Sequence, residues 1–171
     1  VSGTTVTFET TDGAIVPASA ADVVTNTFGI AALTSWTLDA LAGANALTAT
    51  AAGLAGNPVT FTATGTVGPA STATSTVATS DPTRVSGEAA TITVDLIDAA
   101  GNPLIASGGT VTLSTNIGTL GAVTNHGDGS YSATYTATTA GTATITATIN
   151  GATIVDNATI TVSAGAAASV V

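Results

Sequence analysis

Threonine and aliphatic residues alternate along much of this chain, most strictly in its second half. Thr91–Ile97 places Ile92, Val94 and Leu96 on one face and Thr91, Thr93 and Asp95 on the other. Thr110–Ser114 does the same with Val111 and Leu113 turned inward. Gly141–Ile149 alternates over its whole length, which predicts burial of Ala143, Ile145, Ala147 and Ile149. Ala158–Ser163 closes the set. A period of two is what a half-buried antiparallel strand requires. No segment keeps a helical period over a useful length.

The punctuation between these runs is that of hairpins and loops. Asn150-Gly151 separates two alternating runs, and a type I′ turn needs positive φ at both of its central positions. Ala99-Ala-Gly-Asn-Pro103 and Asn125-His-Gly-Asp-Gly129 have the composition of loops. In the first half the pattern predicts strands at Thr4–Glu9, Ala31–Asp39, Ala46–Ala51 and Val59–Thr64, with Trp36 and Phe61 inside the core. Ala18–Val23 reads as a short turn at most. Many short strands between turns indicate an all-β chain of antiparallel sandwiches, with seven or so strands per domain.

The chain also nearly repeats itself. Val1-Ser-Gly-Thr-Thr-Val-Thr-Phe8 returns as Ala106-Ser-Gly-Gly-Thr-Val-Thr-Leu113, and Ala42-Gly-Ala-Asn-Ala-Leu-Thr48 returns as Ala140-Gly-Thr-Ala-Thr-Ile-Thr146. The offset is on the order of 100 residues, the length of one sandwich domain. The second copy has a preamble, Pro69–Pro103, that the first lacks, and Ala166–Val170 resembles the start of that preamble. The predicted organisation is a sandwich lacking its first strands at 1–68, a complete one at 69–165, and the start of a further repeat, or a donor-like tail, at 166–171. Gly65–Ala70 is the predicted joint.

Composition narrows the function. Among 171 residues only 6% are charged, and Arg84 is the one basic side chain against ten acidic ones, a net charge of −9. Nucleic acid and anionic membrane surfaces both require a cationic face, so neither is an expected partner. No apolar run has the length of a membrane-spanning helix, and no membrane insertion is expected. There is no Cys, which removes disulfides and thiolate metal sites. Without Lys, no Lys–Asn or Lys–Asp isopeptide crosslink can form. Without Met, the chain reads as a processed product or an internal piece.

The order of elements in the second copy carries a resemblance. Asp98-Ala-Ala-Gly-Asn-Pro103, Gly109-Thr-Val-Thr-Leu113, Gly127-Asp-Gly-Ser-Tyr-Ser-Ala-Thr-Tyr135 and Ala140-Gly-Thr-Ala-Thr-Ile-Thr-Ala147 follow one another as in the bacterial Ig-like domain of the invasin/intimin type. The chain resembles that family over about Ala70–Ser163 in full and Val1–Thr66 in part. The resemblance implies tandem immunoglobulin-like sandwiches used as a stalk or spacer in extracellular adhesins and fibres. It names no receptor.

Candidate chemistry is sparse, and no catalytic, cofactor or metal residue is predicted. His126 stands beside Asp128 in a Gly-rich loop with no nucleophile elbow, so a solvated turn residue is the expected reading. Asp95 and Asp98, three apart along a strand, point to opposite faces and make a poor acid–base pair. Asp81, Asp98, Asn102, Asn125 and Asp128 are the oxygen donors a structural calcium would draw on, although no EF-hand spacing is present. Tyr131 is placed as the tyrosine corner of an Ig sandwich, its ring buried and its hydroxyl bonded to nearby backbone. Asn157-Ala-Thr159 matches an N-glycosylation triplet, more simply a coincidence here, and the exposed Thr rows are candidate O-glycosylation sites.

The leading expectation is a non-enzymatic structural module, partnered by neighbouring Ig-like domains or subunits of the same protein, with any host or cell-surface receptor contacted through other domains. The alternative is a filament subunit that polymerises by strand complementation, with Ala164–Val171 as donor. An accessory binding domain of a secreted hydrolase is a third class, weakened by a total of six aromatic residues.

Overall fold

Where threonine and aliphatic positions alternate, the chain pleats, and the sheets form wherever that alternation has a face to bury. The computed structural model describes residues 1–18 and 21–166, and every regular element in them is a strand. Two compact units result, Val1–Thr66 and Val67–Val171.

The first unit contains β1 (Thr5–Thr10), β2 (Ala14–Val16), β3 (Ala21–Val24), β4 (Ser35–Thr37), β5 (Gly43–Thr50) and β6 (Val59–Gly65). An antiparallel sheet runs β3-β1-β5-β6, and β2 pairs with β4 in a separate two-stranded piece. Phe8, Ile15 and Leu47 are its buried apolar cluster, with Val23, Leu33 and Trp36 packed against them.

Three expectations change here. Of the segment Ala31–Asp39 only Ser35–Thr37 is strand, because Ala31 and Leu33 pack on the core from an irregular connection. The segment Ala18–Val23, a turn by its sequence, contributes β3 instead, paired with β1 in the register Thr5↔Val24. Residues 19 and 20 of it lie outside the described residues. Phe61 is not inside. It sits directly opposite buried Leu47 on β5, yet remains 47% exposed and is not part of the buried cluster.

The second unit contains β7 (Thr76–Thr79), β8 (Thr83–Val85), β9 (Ala89–Asp95), β10 (Val111–Thr115), β11 (Thr119–Leu120), β12 (Thr124–Asn125), β13 (Ser130–Thr136), β14 (Gly141–Ile149) and β15 (Ala152–Ser163). One sheet runs β10-β14-β15-β8; the other runs β11-β13-β9-β7, with β12 also on β13. All pairs are antiparallel except β8 with β15. Ile92 and Val94 of β9 interlock with Ile145 of β14 and Ile160 of β15, all fully buried. Ala143, Ala147 and Ile149 are buried as the alternation predicts. On the outer face, Thr112 meets Thr148 and Ser114 meets Thr146 through hydroxyl pairs at 2.7 and 2.8 Å. The Asn150-Gly151 turn has φ of 49° and 83°, the type I′ signature. The tail Ala164–Val171 is described only as far as Ala166.

Candidate functional site: the loops around Asp98 and Tyr131

Most of the polar residues singled out by sequence lie in the connections of the second unit; Asp98 and Tyr131 are tied to groups distant in the chain, the others to near neighbours. β9 ends at Asp95, which is exposed, and the chain then turns through Asp98–Pro103. Asp98 is 3% exposed. Its Oδ1 accepts the N–H groups of Ala100 and Asn102, both at 2.9 Å. Its Oδ2 accepts the Gly68 N–H at 2.8 Å and the Asn102 amide at 2.9 Å. Four donors on one carboxylate favour its charged form. The Gly68 N–H and then the Asn102 side chain hold its pKa down at about 2. Asp98 is therefore an acceptor satisfied from within the unit, fastening Val67–Ala70 to the loop after β9.

Tyr131 is buried at 2% exposure, and its hydroxyl donates to the Gly109 carbonyl at 2.7 Å. Ser107 Oγ lies 3.1 Å from the same hydroxyl and accepts from Asn125 Nδ2 at 2.7 Å. The ring is buried as a tyrosine corner would be, but the bond crosses to the connection between β9 and β10 instead of closing on backbone a few residues upstream. Asn150 secures the same connection from the other side. Its Oδ1 accepts from the Thr110 N–H at 2.9 Å, and its Nδ2 donates to the Gly108 carbonyl at 3.3 Å.

Tyr131→Phe is expected to cost about 1 kcal/mol or more, because the Gly109 carbonyl loses a buried donor. Tyr135 supplies the control. Its hydroxyl is buried and has no partner among the described residues, and burial pushes its pKa up. Tyr135→Phe should leave the thermal midpoint unchanged or raise it. Equal losses for the two variants would remove the special role given to the Tyr131 hydroxyl.

The remaining candidates serve turns. His126 Nε2 lies 2.9 Å from Ser132 Oγ at an exposed position. Asp128 Oδ1 accepts the Ser130 hydroxyl at 2.6 Å and the Ser130 N–H at 3.0 Å, and these hold its carboxyl below the usual range, with His126 adding a smaller electrostatic contribution. Asn125 Oδ1 accepts the Gly127 N–H at 2.9 Å. Asp81 forms an ion pair with Arg84. Of the five oxygen donors considered for calcium, Asp98 and Asn102 bond each other, Asn125 and Asp128 share a loop, and Asp81 is engaged by Arg84. Among the described residues no three His, Cys, Asp or Glu side chains converge. Asn157 and Thr159 are both exposed along β15.

Three contributors are not visible in the sequence pattern: Gly68, the Asn150 side chain, and Asp156, whose carboxylate accepts the Val77 N–H at 2.9 Å. Each acts across a large sequence separation, and only the Asn150 position carries a local signal, that of its turn. A shallow groove of about 400 Å³ opens beside these loops, walled by Gly68, Pro69, Leu104, Ile105, Ile149 and Asn150. It is mainly apolar and offers no charged group to a ligand.

Two sheets over one aliphatic core, with polar groups committed to holding loops, define an immunoglobulin-like module of the kind found in bacterial surface adhesins. The family model of invasin domain 3 matches residues 71–165, and the chain belongs to that family. Among similar solved structures, the Yersinia pseudotuberculosis adhesin InvE is 32% identical over 57% of this chain and 28% of its own, with a TM-score of 0.52. Invasin, described as a bacterial integrin-binding protein, is 29% identical over 96% of this chain and 33% of its own, with a TM-score of 0.51. Yersinia pseudotuberculosis InvD is 26% identical over 96% of this chain and 48% of its own, with a TM-score of 0.53. The chain thus spans less than half the length of each of these adhesins.

Proposed function

We propose that the chain is a non-enzymatic spacer module of an extracellular bacterial adhesin, working as tandem Ig-like units that carry load and set distance. Membership of the invasin domain 3 family supports this reading most directly. A second support is mechanical. In the second unit the early strand β8 runs parallel to the final strand β15, pairing Thr83 with Thr161 and Val85 with Ser163. The Thr161 N–H donates to the Pro82 carbonyl at 2.8 Å, and the Ser86 N–H donates to the Ser163 carbonyl at 2.9 Å. Tension between the two ends of the unit pulls parallel strands in opposite directions. Their bonds are then loaded together in shear instead of opening one after another.

In this reading the partners are neighbouring Ig-like domains, and a receptor is met by other domains of the parent protein at the cell surface. Integrin binding, which belongs to invasin as described, is not assigned to this chain. Small-angle scattering of several such units joined in tandem should give a rod whose length grows linearly with unit number. A compact particle of constant cross-section-to-length ratio would overturn the spacer role.

A further inference from the structure

Among the described residues, the second unit guards its sheet edges with one exception. At the edge strand β7, the Asp156 carboxylate accepts the Val77 N–H at 2.9 Å. At β8, the Glu88 carboxylate accepts the Val85 N–H at 2.9 Å. β11 and β12 are only two residues each. Charge and shortness are ordinary means of keeping an edge from pairing with another chain. β10 has neither. It ends its sheet, no strand pairs with its outer side among the described residues, and its register with β14 is unbroken. Neither β10 nor β14 contains a charged residue or a proline, so all ten acidic side chains of the chain belong to other segments.

The phase of the ladder fixes what this edge offers. The Asn150 N–H donates to the Thr110 carbonyl at 2.8 Å, so Thr110 turns its backbone towards β14. Antiparallel backbone alternates along a strand. Thr112 and Ser114 therefore also face β14, and Val111, Leu113 and Thr115 direct their N–H and C=O groups outward. The side chains of Thr112 and Ser114 are exposed, while Leu113 packs against the core but stays only half-buried. The approach is open at the Val111 end, where a groove of about 220 Å³ is lined by Val111, Val123 and Asn125.

Such an edge is its own complement when turned about a two-fold axis through Leu113. Val111 then pairs with Thr115 of the second copy and Leu113 with its own counterpart, each exchanging N–H and C=O. Thr112 meets Ser114 of the second copy, a hydroxyl pair of the kind these residues already make with Thr148 and Thr146. The half-buried Leu113 side chains meet at the axis and cover one another. We propose that β10 is a homotypic contact, through which a second copy of this chain joins edge to edge and continues the sheet. One pair of five-residue strands buries less than the roughly 1,200 Å² of a stable complex, so the contact is weak between single modules and strengthens where arrays of them lie alongside one another. It does not depend on the spacer role, and a compact scattering profile would leave it standing.

Sedimentation of the full chain at up to about 1 mM should show a reversible dimer, and the amide resonances of Val111, Leu113 and Thr115 should shift with concentration. Thr112→Asp with Ser114→Asp sets like charges opposite each other and should weaken the dimer roughly tenfold. Thr112→Asp with Ser114→Lys sets opposite charges in the same places and should associate at least as well as the wild type. A monomer throughout that range overturns the proposal. Equal association of the two double variants overturns it as well, because the contact would then lie elsewhere. So does a chain that stays monomeric yet binds a foreign extended peptide along β10, which would give the edge a different occupant. The resonance shifts are read on the unsubstituted chain, so a variant that folds poorly does not remove the test.

Discussion

Asp98→Asn should lower the melting temperature of the second unit by roughly 10 °C, although the substitution changes one atom and no volume. The carboxylate faces four donors, on Gly68, Ala100 and Asn102. An amide has one acceptor oxygen, so in either orientation its own N–H groups point at donors, and two of the four lose their partner. The effect is also dependent on pH. The folded pKa of Asp98 lies at about 2, against an ordinary value of 3.8. Because the folded value is the lower one, the stabilisation is complete above the ordinary value and disappears as pH falls from about 4 towards 2. The gap between wild type and Asp98→Asn, measured by thermal melts, should therefore be widest near neutrality and shrink across that window. A gap independent of pH would show that the carboxylate's charge is not what the loop requires.

Gly109→Ala should be the most damaging single methyl in the connection to β10, costing about 3 kcal/mol. Gly109 has φ of +129°, where a side chain is strained in any surroundings, and a Cβ there would lie 2.2 Å from Asn150 Oδ1. Relieving that overlap displaces Asn150 and with it the bonds to Thr110 and Gly108. Gly127→Ala is the matched control. Its φ of +83° is also positive, but a Cβ there meets nothing within 4 Å, so only the backbone cost of about 1 kcal/mol applies. Adding Asn150→Ala to Gly109→Ala removes the overlapping atoms, so the double variant should lose less than the sum of the singles. Urea midpoints decide both points; strict additivity would rule out the Gly109–Asn150 collision as the cause.

The parts of this fold that depend on neighbours in sequence are the ones its residues announce. Gly141–Ile149 alternates without interruption, and its apolar positions are buried; Asn150-Gly151 has the backbone that a two-residue turn demands. Phe61 belongs inside by residue type alone, but burial requires an opposing sheet, which no property of β6 encodes. The sequence pattern predicts Ala31–Asp39 as one strand, yet only Ser35–Thr37 pairs, and Ala31 and Leu33 pack on the core from outside any strand. The role of Asp98 is hidden for a similar reason. Its Asn102 partner lies in the same loop, whereas the N–H that most depresses its pKa belongs to Gly68, 30 residues earlier.

Native-state hydrogen exchange resolved by residue tests the central contrast, between a second unit whose two sheets bury one large aliphatic core and a first unit whose buried cluster is small. Backbone amides of β9, β13 and β14 should exchange slowest, opening only when the second unit unfolds as a whole. Amides of β6 and β4 should exchange about a hundredfold faster or more, since each has one edge without a strand partner among the described residues and their core is small. Equal protection of β6 and β15 would contradict the account, because it would mean that the small cluster of the first unit holds its strands as firmly as the core of the second.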